Sequence, residues 1–182
     1  MAINLYNGFV NTKNGESYKC ISSTEESFKI EWRVQPSEHL PFEHIHLNQD
    51  EIIHVKKGEL ALMLNGKASV IKAGNTITIK KGEKHLAFNY SDEMLECEIE
   101  YIPGLDSYQF FQCFGGLVID NSVGKEGKVS IPKMCYFAKK MNAKALTRPS
   151  GIPGPLFNFI LSFFYGIGVM FGWKRFYKKY AI

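Results

Sequence analysis

The chain has few cysteines, and their spacing excludes two common kinds of cysteine site. None of the four forms a Cys-x-x-Cys pair, so neither a zinc ribbon nor a thioredoxin-like redox motif is indicated. The N-terminal segment also lacks a basic start followed by an apolar run, which argues against a secretory signal. These absences favour a reducing, cytoplasmic location. The cysteines are Cys20, Cys97, Cys113 and Cys135.

Acidic residues are missing from the last part of the chain. From Gly127 to Ile182 there are ten Lys or Arg and no Asp or Glu, whereas residues 1–126 carry a net charge of −6. An acidic body with a basic tail suggests that the tail contacts something anionic. Nucleic acid fits poorly, because the basic residues bracket an apolar block and are not interleaved with aromatic residues in one patch.

Charge of either sign is absent from Pro149 to Trp173, a span of 25 positions. We expect an apolar helix over 156–173, which would reach roughly 27 Å at about 1.5 Å per residue. Three placements are open: a membrane-spanning helix, a re-entrant or in-plane helix, and a buried helix at a subunit interface. Basic residues flank both ends, which favours a helix with both ends at the inner face of a membrane, held by anionic lipid. The segment 156–182 is therefore the candidate for membrane association.

Short strands are predicted throughout residues 1–104. The stretch "FKIEWRV" at 28–34 alternates apolar and charged residues with a period of two, which is typical of a half-buried strand. Asn65-Gly66 lies between two apolar runs and predicts a tight hairpin. Several further short strands are separated by glycine-containing turns. The pattern predicts a mainly-β sandwich or barrel.

Helices are predicted after Pro103-Gly104. Residues 106–120 and 131–146 have helical patterns, and the second places lysines towards its C-terminal end, where they suit the helix dipole. Residues 148–155 are rich in proline and glycine and predict a broken connector. The expected organisation is a β-barrel over 1–104 and a C-terminal α-helical extension over 105–182.

Three of the five histidines lie within eleven residues, with a glutamate between them. His44 and His46 are two apart on a strand, so their side chains point to the same face. Glu51 can return to that face through a tight hairpin, and His85 follows about 35 residues later. Three imidazoles and a carboxylate are a ligand set for a divalent transition metal. The alternative is that these residues are simply the polar residues of a strand edge, with no ligand. His54 should face away from the site.

The spacing of these residues resembles the two motifs of the cupin superfamily. His44-x-His46-x(4)-Glu51-x(6)-Gly58 resembles the first motif, and Gly74-x(5)-Lys80-x-Gly82-x(2)-His85-x(3)-Asn89 resembles the second. Glu38 and Lys80 depart from the glycine and proline that are usual there. The resemblance covers roughly residues 28–104. It implies a double-stranded β-helix, or jelly-roll, barrel with His44, His46, Glu51 and His85 as metal ligands.

The region from residue 106 onward is similar to the C-terminal extension of a group of bacterial cupin proteins to which no activity is assigned. The matching pieces are "YQFFQCFGGL", "NSVGKEGKVSIP" and "FGWKRFYKKY". These patterns are loose, and they imply no particular reaction. Cupin resemblance also implies a homodimer.

The residues and the resemblance together predict a metal-binding protein that acts on a small polar organic molecule, as a dioxygenase or an isomerase. One divalent transition metal is expected, with Fe or Mn favoured over Zn, Ni or Cu. Arg33, Gln35 and His39 are candidates for substrate binding. The alternative is a non-catalytic module that binds a small ligand and is tethered to a membrane or an oligomer by its tail. A further alternative is a cupin barrel that has these four residues but works without metal chemistry.

Overall fold

Two antiparallel β-sheets face each other, and four helices from the C-terminal part of the chain pack beside them. The computed structural model describes residues 3–36, 42–120, 122–124 and 127–181. The strands are β1 (Phe9–Val10), β2 (Ser17–Ser23), β3 (Phe28–Val34), β4 (His44–His46), β5 (Asp50–Lys57), β6 (Glu59–Leu64), β7 (Lys67–Lys72), β8 (Thr76–Ile79), β9 (Lys84–Phe88), β10 (Leu95–Ile102) and β11 (Thr147–Pro149). The helices are α1 (Ser107–Ile119), α2 (Ile131–Lys140), α3 (Gly154–Met170) and α4 (Lys174–Ala181), and a 3₁₀ turn spans Leu5–Asn7.

The first sheet has six strands in the order β1-β2-β3-β10-β5-β8. Its inner face follows from the period-two pattern of the sequence: along β3, Phe28, Ile30, Trp32 and Val34 are all buried. The alternate side chains point outward, where Lys29 pairs with acidic residues of β10. Burial of one apolar face is what fixes the register of such strands.

The second sheet has five strands in the order β11-β4-β9-β6-β7. The hairpin predicted at Asn65-Gly66 joins β6 to β7, and both residues have positive φ, at 50° and 80°. Such angles are typical of the two-residue turns that match strand twist. With the first sheet, this arrangement confirms the predicted mainly-β jelly-roll barrel followed by a helical extension.

The C-terminal extension is more closely joined to the barrel than the sequence predicted. The first two residues of the expected connector, 148 and 149, belong to β11, which pairs with β4. The expectation was wrong for these two residues. Helix α2 ends at Lys140 and not at residue 146, because Asn142 adopts a positive φ of 51°. The chain then turns back, and the Asp106 carboxylate accepts hydrogen bonds from the backbone N–H groups of Lys144 and Ala145 at 2.9 and 2.6 Å.

Aromatic and small residues hold the four helices together. Helix α4 lies across α1, where the Tyr180 ring packs directly over Gly116. Helix α3 packs along α2 through Phe157 and Leu161, which are buried against Cys135 and Ala138 of α2. A second layer of buried side chains thus lies beside the barrel core.

The apolar helix predicted over 156–173 ends earlier than expected. Helix α3 covers Gly154–Met170, and after a short turn α4 leaves at an angle of 98°. No single helix among the described residues is long and apolar enough to cross a membrane. The bent pair of α3 and α4 reaches that length and hydropathy only in combination.

Candidate metal centre

The two sheets bring the four predicted ligands to one place. His44 and His46 point inward from β4, as residues two apart on a strand must. The adjacent strand β9 places His85 directly opposite His44 in the antiparallel register. Glu51 comes from β5 of the facing sheet, on the buried face that it shares with Ile53. The cluster therefore bridges the interior between the sheets.

Distances within the cluster suit the binding of a single cation. One donor atom from each of the four residues lies within 4.8 Å of the others. The Nε2 atoms of His44 and His46 are 3.3 Å apart, and Glu51 Oε2 lies 3.3 Å from His46 Nε2 and 2.9 Å from His85 Nε2. All four side chains are buried, so water competes little for these atoms.

The hydrogen bonding of the cluster leaves its inward atoms unsatisfied. His44 Nδ1 contacts the Phe42 carbonyl oxygen at 3.3 Å, and His85 Nδ1 contacts the Glu83 carbonyl oxygen at 3.2 Å. These contacts assign the proton to Nδ1 and leave a lone pair on the inward Nε2. Glu51 Oε2 and His85 Nε2 are buried and make no hydrogen bond outside the cluster, and with the proton on Nδ1 their 2.9 Å contact sets two acceptors against each other. Since such groups are costly when unsatisfied, the geometry fits a bound metal.

The electrostatics of the cluster favour the metal-binding forms of Glu51 and His44. Burial alone would raise the pKa of Glu51, but the neighbouring His46 and His85 outweigh it and hold that pKa well below its ordinary value. Burial, together with the nearby His85 and His46, lowers the pKa of His44 to about 3. At His85 burial would lower the pKa, but the hydrogen bond and charge of Glu51 outweigh it and raise that pKa. At neutral pH Glu51 is a carboxylate and His44 a neutral imidazole, as a divalent metal requires.

Tyr101 and Gln49 are residues of the site that the sequence reasoning missed. Tyr101 lies opposite Glu51 in the β10–β5 register, and its ring centroid is 5.3 Å from that of His46. Burial and the Glu51 charge raise its pKa well above the ordinary value, so it stays a neutral phenol. Gln49 donates to Ser107 Oγ at 2.8 Å and ties β5 to α1. The alternation along β10 was the available signal for Tyr101, since it predicts the inward face.

Two of the three candidates for substrate binding, Arg33 and Gln35, lie away from the cluster. Arg33 points outward from β3 and pairs with Glu31 and Glu96 at 3.2 and 3.8 Å, because alternate residues of a strand face opposite sides. This placement argues against a role for Arg33 in binding a substrate inside the barrel. Gln35 lies beside Gly15 and does not line the cavity described below. His39 lies outside the described residues.

His54 takes the outward orientation predicted for it. It lies on the side of β5 opposite Glu51, and its Nδ1 is 2.8 Å from Thr76 Oγ1 of the neighbouring strand. It is therefore separate from the buried cluster and provides a natural control for it.

The cluster lies at the wall of a cavity of about 760 Å³ that extends from the barrel to the helices. His44, His46 and Glu51 line it on the barrel side, and residues of α1, α2 and α3 line it on the other. The sequence patterns of the barrel and of the extension did not predict this shared space.

Comparisons with known proteins concern the barrel. The family model described as "Cupin domain" matches residues 30–101, and no curated protein matches the chain. A protein with a double-stranded beta-helix domain from Klebsiella pneumoniae is 24% identical, with 49% of this chain and 73% of that chain covered, at a TM-score of 0.46.

Two further solved structures show similar coverage. KdgF from Halomonas sp. is 17% identical over 55% of this chain and 97% of that chain, with a TM-score of 0.47. A protein named as a predicted oxalate decarboxylase from Thermotoga maritima is 25% identical over 48% and 80%, with a TM-score of 0.46. The family model thus matches the part of the chain that holds both motifs and the jelly-roll strands, and this part is a cupin domain.

Proposed function

We propose that this chain is a metal-dependent cupin enzyme in which His44, His46, Glu51 and His85 hold one divalent transition metal. The observation that carries this proposal is the set of four buried donor atoms within 4.8 Å of one another, two of which make no hydrogen bond outside the cluster. Imidazole and carboxylate ligands suit Fe(II) and Mn(II), and also Zn, Ni and Cu. Fe or Mn is the favoured metal.

The metal would supply Lewis-acid or redox chemistry to substrate oxygens, and dioxygenation or isomerisation are the reaction classes that we favour. The residues around it hold the ligands in place and set their charge. Glu51 contributes the one negative charge, and the backbone carbonyl oxygens near His44 and His85 fix the orientation of the imidazoles. Tyr101, a neutral phenol beside Glu51, is placed to donate a hydrogen bond at the cluster.

The first test is elemental analysis of the full chain purified without an affinity tag, beside a His44→Ala/His85→Ala double variant. We expect about one equivalent of Fe or Mn in the parent and none in the variant. His54→Ala is the matched control, because it removes an imidazole from the outer face of β5, and it should retain the metal. A screen of oxygen-dependent reactions would follow.

Other metal contents would separate the candidate functions. Zinc at the same level would support the site but favour a Lewis-acid or structural role. Failure of the parent to bind any metal, even after reloading, would overturn the enzyme proposal. The barrel would then be better described as a ligand-binding module.

A second candidate function, the tethered ligand-binding module, is favoured by the outer face of α3. Phe159, Phe163 and Met170 are 66%, 54% and 82% exposed, and α4, which follows α3 after a short turn, carries four basic residues. An apolar face beside basic residues suits the surface of an anionic bilayer. A homodimer and a cytoplasmic location stay predictions.

Co-sedimentation with lipid vesicles tests the membrane part of this candidate. The full chain should bind vesicles of phosphatidylglycerol and not those of phosphatidylcholine. A Phe159→Ser/Phe163→Ser variant should lose the binding, whereas Val70→Ser, at an exposed apolar position on β7, should keep it. Equal binding by both variants would remove α3 as the contact surface.

A further inference from the structure

The cavity beside the metal cluster is built jointly by the barrel and the C-terminal extension. Its volume is about 760 Å³, which is within the range of pockets that bury small-molecule ligands. At roughly 30 Å³ for each water in the liquid, this volume corresponds to roughly 25 waters. Its helix-side lining among the described residues includes Phe110, Phe111 and Phe114 of α1, Ile131, Met134, Cys135 and Ala138 of α2, and Phe157 and Leu161 of α3.

Two buried polar side chains at this wall already have partners. Gln49 donates to Ser107 Oγ and to the Pro103 carbonyl oxygen. Glu16 accepts hydrogen bonds from Tyr18 Oη at 2.9 Å and from Trp32 Nε1 at 3.1 Å. By contrast, Glu51 Oε2 makes no hydrogen bond outside the cluster, where it contacts His46 and His85. Lys13, Asn14 and Lys128, which lie outside the three helices, also line the cavity. The lining therefore has polar groups at the cluster and at these three residues, and an apolar surface along α1, α2 and α3.

This distribution selects among ligand classes. A sugar or a dicarboxylate in the cavity would leave hydroxyl or carboxylate groups against phenylalanine rings, and a polar group that is buried without a hydrogen-bond partner weakens binding. An apolar body gains free energy in proportion to the surface that it removes from water. The walls thus favour a molecule whose polar atoms are confined to one end.

We propose that this cavity binds an amphiphilic molecule of the fatty-acid type. Its oxygen-bearing end lies at the His44, His46 and Glu51 wall, and its acyl or ring body lies against α1, α2 and α3. The position of the polar end rests on the proposed function, whereas the apolar chamber does not depend on a bound metal. The substrate class is therefore narrower and less polar than the sequence predicted.

The test is a fluorescence titration of the full chain with cis-parinaric acid, a long-chain fatty acid whose emission rises in apolar surroundings. Metal-free and manganese-loaded protein are both titrated. We expect saturable binding of one molecule per chain. Met134→Trp fills the chamber and should weaken binding about tenfold or more. Ile131→Trp is a second filling variant at a position that is 57% exposed, where the larger ring is tolerated by the fold.

Two control variants locate the binding. Met141→Trp makes the same change just after α2, where Met141 packs against a group of buried residues that includes Leu117 of α1 and Tyr180 of α4. Met141 does not line the cavity, so this variant should bind the acid like the parent. Phe163→Ser alters the exposed face of α3 and should also bind like the parent. Circular dichroism and urea unfolding confirm that each variant is folded.

The inference fails if the parent shows no saturable binding with or without manganese. It fails equally if Phe163→Ser loses the binding while the two filling variants keep it, since the probe would then lie on the outer face of α3. Binding of the acid by a chain that takes up no metal would overturn the proposed function and leave the chamber assignment intact. Metal uptake without binding of the acid would support the proposed function and overturn the assignment of the chamber.

Discussion

Glu51 carries the negative charge of the candidate metal centre, and its replacement is the sharpest single change there. Glu51→Gln keeps the shape of the side chain but removes the charge that lies 3.3 Å from His46 Nε2 and 2.9 Å from His85 Nε2. We expect the affinity for Mn(II) to fall by at least about 100-fold, because residues that only orient metal ligands already account for about 10–100-fold. Isothermal titration calorimetry of the metal-free parent and variant with Mn(II) measures this change in affinity.

Glu98→Gln is the matched control for this change. Glu98 lies on the outer side of β10, where it pairs with Lys29 and Lys56 at 3.5 Å, so its replacement should leave metal affinity unchanged. Equal affinities for the parent and Glu51→Gln would remove the carboxylate from the ligand set.

At the residue scale, the sequence predicted well those side chains whose positions follow from spacing along a strand. His44 and His46 are two apart, and the motif spacing places Glu51 and His85 beside them. Tyr101 was missed because its contact with Glu51 depends on which strands pair across the sheet, and no local pattern specifies that. For Arg33, strand alternation left open a face that binds substrate and a face in solvent, and its pairing with Glu31 and Glu96 on the outer side fits the second.

At the element scale, the close contact between α1 and α4 makes Gly116 a critical position. A Cβ atom there would lie 2.2 Å from Tyr180 Cγ, which is too close for any adjustment that keeps α4 in place. Gly116→Ala should lower the free energy of unfolding by about 1–3 kcal/mol, the usual cost of overpacking. Urea unfolding followed by circular dichroism measures the change.

Gly166 provides the matched substitution on another helix. It lies within α3, and a Cβ there would meet nothing within 4 Å. Gly166→Ala should therefore stabilise the chain, by about 0.5–1 kcal/mol, because alanine loses less backbone entropy than glycine in a helix. If both variants were stabilised, the packing of Tyr180 on α1 would be wrong.

Asp120, which directly follows α1, joins α1 to α4 through hydrogen bonds. Its carboxylate accepts hydrogen bonds from Lys179 Nζ and from Tyr180 Oη, each at 2.7 Å. The hydrogen bond from Lys179 holds the pKa of Asp120 below its ordinary value, and that from Tyr180 acts in the same direction. Because the folded-state pKa is the lower one, this stabilisation is fully present above the unfolded pKa and is lost as pH falls through the lowered value.

Asp120→Asn tests how much the Asp120 carboxylate contributes to the free energy of unfolding. The variant should lose about 1 kcal/mol of unfolding free energy at pH 7, near the upper limit for partly exposed ion pairs, and the difference from the parent should shrink in acid. Urea unfolding at a series of pH values checks both points. Asp92→Asn, at an exposed position before β10, should match the parent throughout, and a pH-independent difference for Asp120→Asn would exclude the carboxylate as the cause.

Periodicity predicted β3, the hairpin of β6 and β7, and helix α1, since each follows from a local pattern of burial. It did not predict β11, because residues 147–149 are extended only through pairing with β4, which lies about a hundred residues earlier in the chain. The end of α2 was also misplaced. Apolar residues continue beyond Lys140, but the hydrogen bonds of Asp106 draw residues 144 and 145 away from the helix.

At the scale of the whole molecule, the sequence predicted a barrel followed by a distinct C-terminal extension. In the structure the extension contributes strand β11 to the barrel. The expected boundary after residue 104 leaves β11 outside the barrel, although it completes the five-stranded sheet. The chamber beside the cluster has walls from both parts, so no pattern within either part could predict it. The small polar substrate expected from the sequence reflects the ligands alone, without the helices that face them.

Metal binding should also stabilise the whole fold, because the cluster connects the two sheets. His44, His46 and His85 come from the five-stranded sheet and Glu51 from the six-stranded one, and the unfolded chain does not keep these residues together. At a free Mn(II) concentration of about 100 times the dissociation constant, linkage predicts a gain of about 2.7 kcal/mol. For a chain of this size that corresponds to a rise of about 5–10 °C in Tm.

Differential scanning calorimetry with and without Mn(II) measures this rise, and two variants show whether it comes from the cluster. The His44→Ala/His85→Ala variant should show no shift, because it lacks two of the four ligands, whereas His54→Ala should shift like the parent. A rise of the same size in the double variant would place the bound ion elsewhere. Bound metal without any rise would mean that the ion binds the unfolded chain equally well. The cluster would then not be the preformed site that its four buried donor atoms indicate.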